Sequence, residues 1–250
     1  MPVGRQPLHG QVAAEMRKAI ARGKWKPGAK IPTEPELTER YGVSRATVRQ
    51  AVAALRAEGL LDVRQGSGTY VREPQATVDA VFISRTVHLA SDGTFTCPSG
   101  WEAKEKATAY AVRLEPCPAA LLRLDEGEAA LLVDRLIIHQ PTGNLARHSM
   151  LLPMERITTT SLAAEPDVCA TEAYRQLAAA HGPLMWDDGV TARMPNPDES
   201  ATLRVPAGSP LLITERLTQS QSGERLMLET LTTGATGIHM VYTHHPQPAD

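Results

Sequence analysis

Arg45, Thr47, Arg49 and Gln50 lie close together on one short stretch whose other outward positions include Ala46 and Ala53. Arginine carries a rigid fork of donors that fits the O6 and N7 acceptors of guanine, and alanine lets a backbone sink into a groove. The chemistry on offer is the reading of base edges. Further on, Arg64-Gln65-Gly66-Ser67-Gly68 sets a cation beside residues without side chains, which suits close approach to a phosphate or a minor-groove edge. Any one of these arginines taken alone reads as a solvated surface charge; the arrangement as a whole does not. Signals for bond-making chemistry are missing. There is no Gly-x-Ser-x-Gly elbow, no His-Glu-x-x-His and no phosphate loop ending in Gly-Lys-Ser/Thr.

The elements that must hold these residues can be read from apolar spacing and caps. Leu8, Val12, Met16 and Ile20 recur every four residues and predict an amphipathic helix over residues 6–22, which Gly23 ends. Pro27-Gly28 turns the chain into a short extended segment. Thr33 with Glu36 makes a capping box, Pro35 sits in the first helical turn, and a second helix runs from near Glu34 to Tyr41-Gly42. Ser44 caps a third helix reaching about Glu58, with Gly59 as its terminator. On that helix Val48, Ala51, Val52 and Leu55 face inward, Ala46, Arg49, Gln50 and Ala53 lie opposite, and Arg45 and Arg56 flank them. Leu60 to Val63 and Thr69 to Val71 then read as two strands about the glycine turn, a wing following a helix-turn-helix.

Charge divides the 250 residues in the same place: residues 1–73 hold 13 Lys and Arg against 7 Asp and Glu, whereas residues 74–250 hold 13 against 21. The near-neutral total of −2 conceals a basic module followed by an acidic one. A basic module suits a polyanion; an acidic one would repel DNA and needs another task. No apolar run is long enough to span a membrane and Met1 to Gly10 lacks a signal-peptide layout, so a cytoplasmic protein is expected. Cys97, Cys117 and Cys169 are widely spaced and read as ordinary reduced thiols, with neither a metal nor a cofactor expected. His239, His244 and His245 have no partner at a ligating spacing, and the last two read as a solvated tail.

Gly28 to Pro32, Glu34, Leu37, Tyr41 to Arg45, Thr47 to Arg49, Leu55, Glu58 to Leu60 and Gly66 to Thr69 together resemble the winged helix-turn-helix of the GntR family of bacterial transcription regulators. The resemblance places Arg45, Thr47 and Arg49 at the family's recognition-helix contacts and Gly66 at the wing tip, with Gln50 and Arg64 beside them. Pro35 departs from it, since many members have an arginine there.

Glu73 to Thr77 breaks the pattern, so a DNA-binding domain over residues 1–73, a linker at 74–77 and a second domain over 78–250 are expected. The second domain contains an internal repeat. Ala120 to Leu136 and Ala201 to Leu217 match at an offset of 81 with seven identities, and each copy continues through Gly143 or Gly223 into another apolar run. Each reads as a short helix and a hairpin. With a further helix over residues 171–181, this gives an α+β domain built on an antiparallel sheet with flanking helices. It resembles the effector-sensing domain of the HutC subfamily, called UTRA, whose fold is that of chorismate lyase. An aminotransferase-like second domain would need several hundred residues and a Schiff-base lysine, and an all-helical one would need long helical periodicity; neither is present.

The subfamily resemblance implies an effector cleft over the sheet, held by Arg135, by a residue near His148 where an acid is customary, and by Glu229. Arg135 can clamp a carboxylate or phosphate with two hydrogen bonds, so an anionic effector is expected. The competing reading is structural, in which Arg135 or Arg216 pairs with an acid on a neighbouring strand. The function expected is a non-enzymatic, effector-controlled regulator, a repressor in the resembled subfamily, that binds a palindromic operator in double-stranded DNA as a homodimer. The rivals are a constitutive DNA-binding repressor whose second domain only dimerises and, less favoured, a chorismate-lyase-like enzyme.

Overall fold

The computed structural model describes residues 7–64, 66–73, 81–97 and 100–242. The expected linker at 74–77, Gln65 of the wing turn, and His244 and His245 of the tail lie outside the described residues. Two compact units divide the chain, Met1–Ala76 with Pro206–Ser209 and Thr77–Val205 with Pro210–Asp250.

In the first unit α1 (Leu8–Ala21), α2 (Glu34–Tyr41) and α3 (Arg45–Ala57) precede a hairpin of β1 (Leu61–Arg64) and β2 (Gly68–Val71). The caps act as their residue types require. The Thr33 backbone N–H donates to Glu36 Oε2 at 2.7 Å, Gly42 closes α2 in the left-handed conformation, and Ser44 Oγ accepts the Thr47 N–H at 3.2 Å. Val12, Met16, Trp25, Ile31, Leu37, Val48, Ala51, Leu55, Leu61 and Val71 form the core. Removing a large apolar side chain of this kind from water contributes about 1.5–3 kcal/mol. Those residues therefore decide which side of α3 is left for a partner. Lys30 bridges to Tyr70, which adds a third extended segment to the hairpin.

The second unit holds β3 (Val81–Ser84), β4 (His88–Leu89), β5 (Phe95–Thr96), β6 (Trp101–Ala103), β7 (Thr108–Arg113), α4 (Pro116–Leu122), β8 (Ala129–His139), β9 (Asn144–Pro153), α5 (Ala170–His181), β10 (Leu184–Arg193), α6 (Pro197–Thr202), β11 (Leu211–Ser220), β12 (Arg225–Gly234) and β13 (Ile238–Val241). Among the described residues, seven strands form an antiparallel sheet in the order β10-β11-β12-β9-β8, with β6 and β7 both paired to the far edge of β8. β3 and β13 form a separate parallel pair.

The expected repeat is present as structure: α4 with the β8–β9 hairpin, and α6 with the β11–β12 hairpin. Both copies also share a conformation that the sequence alone did not announce. Arg123 and Arg204, the arginines of the repeated Leu-Arg pair, each adopt φ 54° at or just after a helix end. An L-residue pays of order 1 kcal/mol for the left-handed region, so the same exception in both copies reflects one local design used twice. On one face of the sheet Val133, Met150 and Leu152 pack under Ala173, Tyr174 and Leu177 of α5. On the other, Ala130, Leu217 and Leu228 pack under Ala119 and Leu122 of α4.

Leu55 is fully buried at the centre of the first unit. Leu55→Ala is expected to destabilise that unit by about 2–5 kcal/mol through lost transfer energy and a residual cavity. Urea denaturation followed by hydrogen exchange should show the loss confined to the first unit, in α1, α2, α3 and the β1–β2 hairpin.

Candidate nucleic-acid interface and ligand cleft

With Val48, Ala51 and Leu55 committed to the core, α3 turns Arg45, Ala46, Arg49, Gln50 and Ala53 to solvent. Arg49 donates from Nε to Glu34 Oε2 at 2.8 Å, while its side chain stays 69% exposed. A surface pair of this kind adds little stability, but it orients the guanidinium. Thr47 is half-buried and its hydroxyl lies 2.9 Å from Ser44 Oγ, so it caps the helix as well as bordering the exposed side. Arg64 stacks over the Tyr70 ring at 4.5 Å, and the exposed Gly66 takes φ 73° at the turn of the hairpin. An L side chain at Gly66 would be strained. Arg45, Arg49 and Gln50 thus share one exposed helix face, and Arg64 and Gly66 belong to the wing.

The second unit contains a cavity of about 240 Å³ on the α5 face of the sheet. Strand register builds it. Arg216 on β11 stands opposite Glu229 on β12, Leu231 on β12 stands opposite His148 on β9, and His148 stands opposite Arg135 on β8. Directly paired residues share a face, so four adjacent strands aim four polar side chains at one place. Tyr174 enters from α5, and Arg85 from just beyond β3.

Both oxygens of Glu229 are engaged: Oε1 accepts from Arg85 Nη1 at 3.0 Å and lies 3.2 Å from His148 Nε2, and Oε2 accepts from the Tyr174 hydroxyl. Burial opposes the charge on Glu229, but the Arg85 cation, His148 and Tyr174 outweigh it and hold the carboxyl well below the usual range. The Tyr174 phenol is pushed well up, first by burial and then by the charge on Glu229. Arg216 is held by Asp188 of β10 at 2.8 and 2.7 Å and donates to the Arg85 carbonyl. Despite its burial, the Asp188 pair raises the Arg216 pKa, so that it is permanently charged.

The structural alternative weighed for the two repeated arginines therefore holds for Arg216, which pairs with an acid on the neighbouring strand. Among the described residues Arg135 has no such partner on a strand; it donates to the Val168 carbonyl and lies 3.4 Å from Asp167, an exposed loop acid. Its chain neighbour Asp134 pairs with Arg147 at 2.6 Å. Arg135, His148 and Glu229 all line the cavity, as do Cys97 and Cys169, and burial pushes the Cys97 thiol up. Sequence reasoning missed Arg85, Tyr174 and Asp188. Among the described residues no group of His, Cys, Asp and Glu could hold a metal ion, and no helix is long and apolar enough to cross a membrane.

A three-helix unit with a paired wing and an outward basic helix face defines a winged helix-turn-helix. Residues 8–71 match the family described as bacterial regulatory proteins, gntR family. The mannosyl-D-glycerate transport/metabolism system repressor MngR of Escherichia coli (strain K12) is 48% identical over 77 residues, 31% of this chain and 32% of that one. The chain spans about a third of the length of that relative. The histidine utilization repressor of Pseudomonas putida is similar over far more, with 28% identity across 236 residues, 88% of this chain and 85% of that one. A crystal structure described as a candidate GntR-family transcriptional regulator superposes with a TM-score of 0.64 at 21% identity, covering 97% of this chain and 99% of that one. That likeness shows a shared fold.

Because the Glu229 pKa is depressed on folding, its contribution is fully present above the ordinary carboxylate range, about pH 4.3, and is lost as the pH falls below it. The wild type should therefore lose stability in acid. Glu229→Gln leaves Arg85 buried with only half its compensation and is expected to cost about 3–5 kcal/mol at neutral pH. Urea titrations of both proteins from pH 7 to acid should show a flatter pH dependence for the variant.

Proposed function

We propose that the chain is a transcriptional repressor of the effector-controlled kind, cytoplasmic and without enzymatic activity. The domain limits of this reading are 1–73 for DNA binding, 74–77 for the linker, and 78–250 for effector binding and dimerisation. Arg45, Arg49 and Gln50 read base edges in a major groove, Thr47 steadies the start of the helix against the backbone, and Arg64 and Gly66 bring the wing to the neighbouring minor groove. The observation that carries this is the exposed, cationic, small-residue side of α3 in a GntR-family unit.

One helix and one wing touch few bases, so two copies on a palindrome supply the specificity, with half-site spacing fixed by the dimer. The similarity to the histidine utilization repressor over most of the chain supports control by a small molecule. The cavity lined by Arg135, His148 and Glu229 is the site for it, and an anion is the ligand its arginines favour. The ligand must bind more tightly to an arrangement that fits the operator poorly, since only differential affinity shifts the equilibrium.

Footprinting upstream of the protein's own gene is expected to reveal a two-fold symmetric site. Arg49→Ala should weaken specific binding by about 1–3 kcal/mol and relax base choice at one position of each half-site. An unchanged footprint and unchanged affinity for that variant would remove the recognition role of α3.

A further inference from the structure

The chain between α1 and α2 joins the wing as a third strand. The Ile31 N–H donates to the Thr69 carbonyl at 2.9 Å, the Val71 N–H to the Ala29 carbonyl at 2.9 Å, and the Gly28 N–H to the Val71 carbonyl at 3.0 Å. Lys30 stands opposite Tyr70, Tyr70 opposite Asp62, and Gly68 opposite Arg64. Paired residues share a face and alternate residues along a strand return to it. Lys30, Tyr70, Gly68, Asp62 and Arg64 therefore lie on one side of this small sheet, while Ile31, Leu61 and Val71 point the other way, into the core.

Lys30 is exposed, yet its side chain is placed. An added Cβ at Gly68 would collide with Cε of Lys30, so the lysine stem lies across the hairpin at the position that has no side chain. Gly68, whose φ of 124° already favours glycine, thus also makes room for a residue from outside the hairpin. On the same face the Arg64 guanidinium stacks 4.5 Å over the Tyr70 ring, and the Tyr70 hydroxyl lies 2.7 Å from Ser67 Oγ. Two positioned cations flank the glycine.

The Lys30 ammonium is left without an ion pair among the described residues. Those of the first unit join Arg17 to Glu58, Lys18 to Glu15, Arg49 to Glu34 and Arg72 to Asp62. Of the other acids near it, Glu36 accepts the Thr33 N–H and hydroxyl at 2.7 and 2.8 Å, and Glu73 lies against Gly28. A lysine head is a point charge with three rotatable donors, which suits a phosphate oxygen and carries no base readout. We propose that Lys30 contacts the sugar-phosphate backbone of the operator and, with Arg64, holds that backbone at the wing, while base reading stays with α3. This inference rests on reading the first unit as the DNA-binding one and adds a contact from outside both the helix-turn-helix and the hairpin.

The test is retardation by the full chain of the footprinted operator and of an unrelated duplex, from about 50 to 200 mM salt. Each lost phosphate contact flattens the plot of log Kobs against log salt by about 0.9. Lys30→Gln should flatten it by about that amount for each protomer bound, weaken both duplexes by a similar factor, and leave base preference unchanged. Lys30→Arg keeps the charge and should keep the wild-type slope. Both variants should keep the wild-type Tm, because the side chain is exposed. Lys106→Gln removes the same charge from the second unit and should leave the slope alone. A wild-type slope for Lys30→Gln, equal flattening by Lys106→Gln, a slope as flat for Lys30→Arg, or altered base preference would each overturn the inference. If it is overturned while wild-type protein retards the operator and Arg49→Ala weakens it, the regulator reading stands; wild-type protein that retards no duplex refutes that reading and the inference with it.

Discussion

A carboxylate placed in the middle of a sheet cannot be left alone, and the second unit is arranged around that constraint. Glu229 sits on β12 with strands on both sides, and it is charged because Arg85, His148 and Tyr174 converge on it. Those three partners come from the end of β3, from β9 and from α5, so one buried charge fixes three otherwise separate elements. Arg216 extends the arrangement, holding Asp188 on β10 with its fork and the Arg85 carbonyl with the same nitrogen. Such a network adds little net stability over a well-packed apolar core, since each ion must first be dehydrated. What it gives is a definite geometry, because any displaced member leaves an uncompensated buried charge.

The first unit solves the opposite problem. Its core is apolar throughout, and its charged side chains lie outside it. Ridges of Val48, Ala51 and Leu55 lock the rotation of α3, and that rotation determines which residues remain outward. The Ser44 cap fixes where the helix begins, and Glu34 steadies Arg49 without burying it. A rigid scaffold carrying exposed forked donors is suited to a polyanion surface that supplies its own acceptors. A buried network suits a ligand small enough to be enclosed. The charge division of the sequence matches this contrast, with 13 Lys and Arg against 7 Asp and Glu over residues 1–73 and 13 against 21 over residues 74–250.

The first unit was almost wholly legible because its signals are local. A capping box, a serine cap and a four-residue apolar rhythm each act within one or two turns, and all three helices fall where those signals put them. The repeat was legible for a related reason: the turns near Gly143 and Gly223 join the strands of each hairpin, and register then carries Arg135 opposite His148 and Arg216 opposite Glu229. Arg85 was not legible. It follows a four-residue strand and meets Glu229 across 144 positions of chain, a contact that no periodicity announces. β10 was hidden by Asp187-Asp188-Gly189, which reads as a turn, and the strand tolerates those residues because it forms an exposed edge. With β10 unseen, the acid that holds Arg216 was unseen too.

Arg85 also bears on how occupancy of the cleft could become a change of state. A ligand acts on an equilibrium only through contacts that differ between the two states. Arg135 offers little leverage, because its acidic partner Asp167 is in water and a ligand replaces it at small cost. Arg85 is different: the same guanidinium holds Glu229 and lies beside Asp188, so a ligand that displaced it would leave both carboxylates short of a partner.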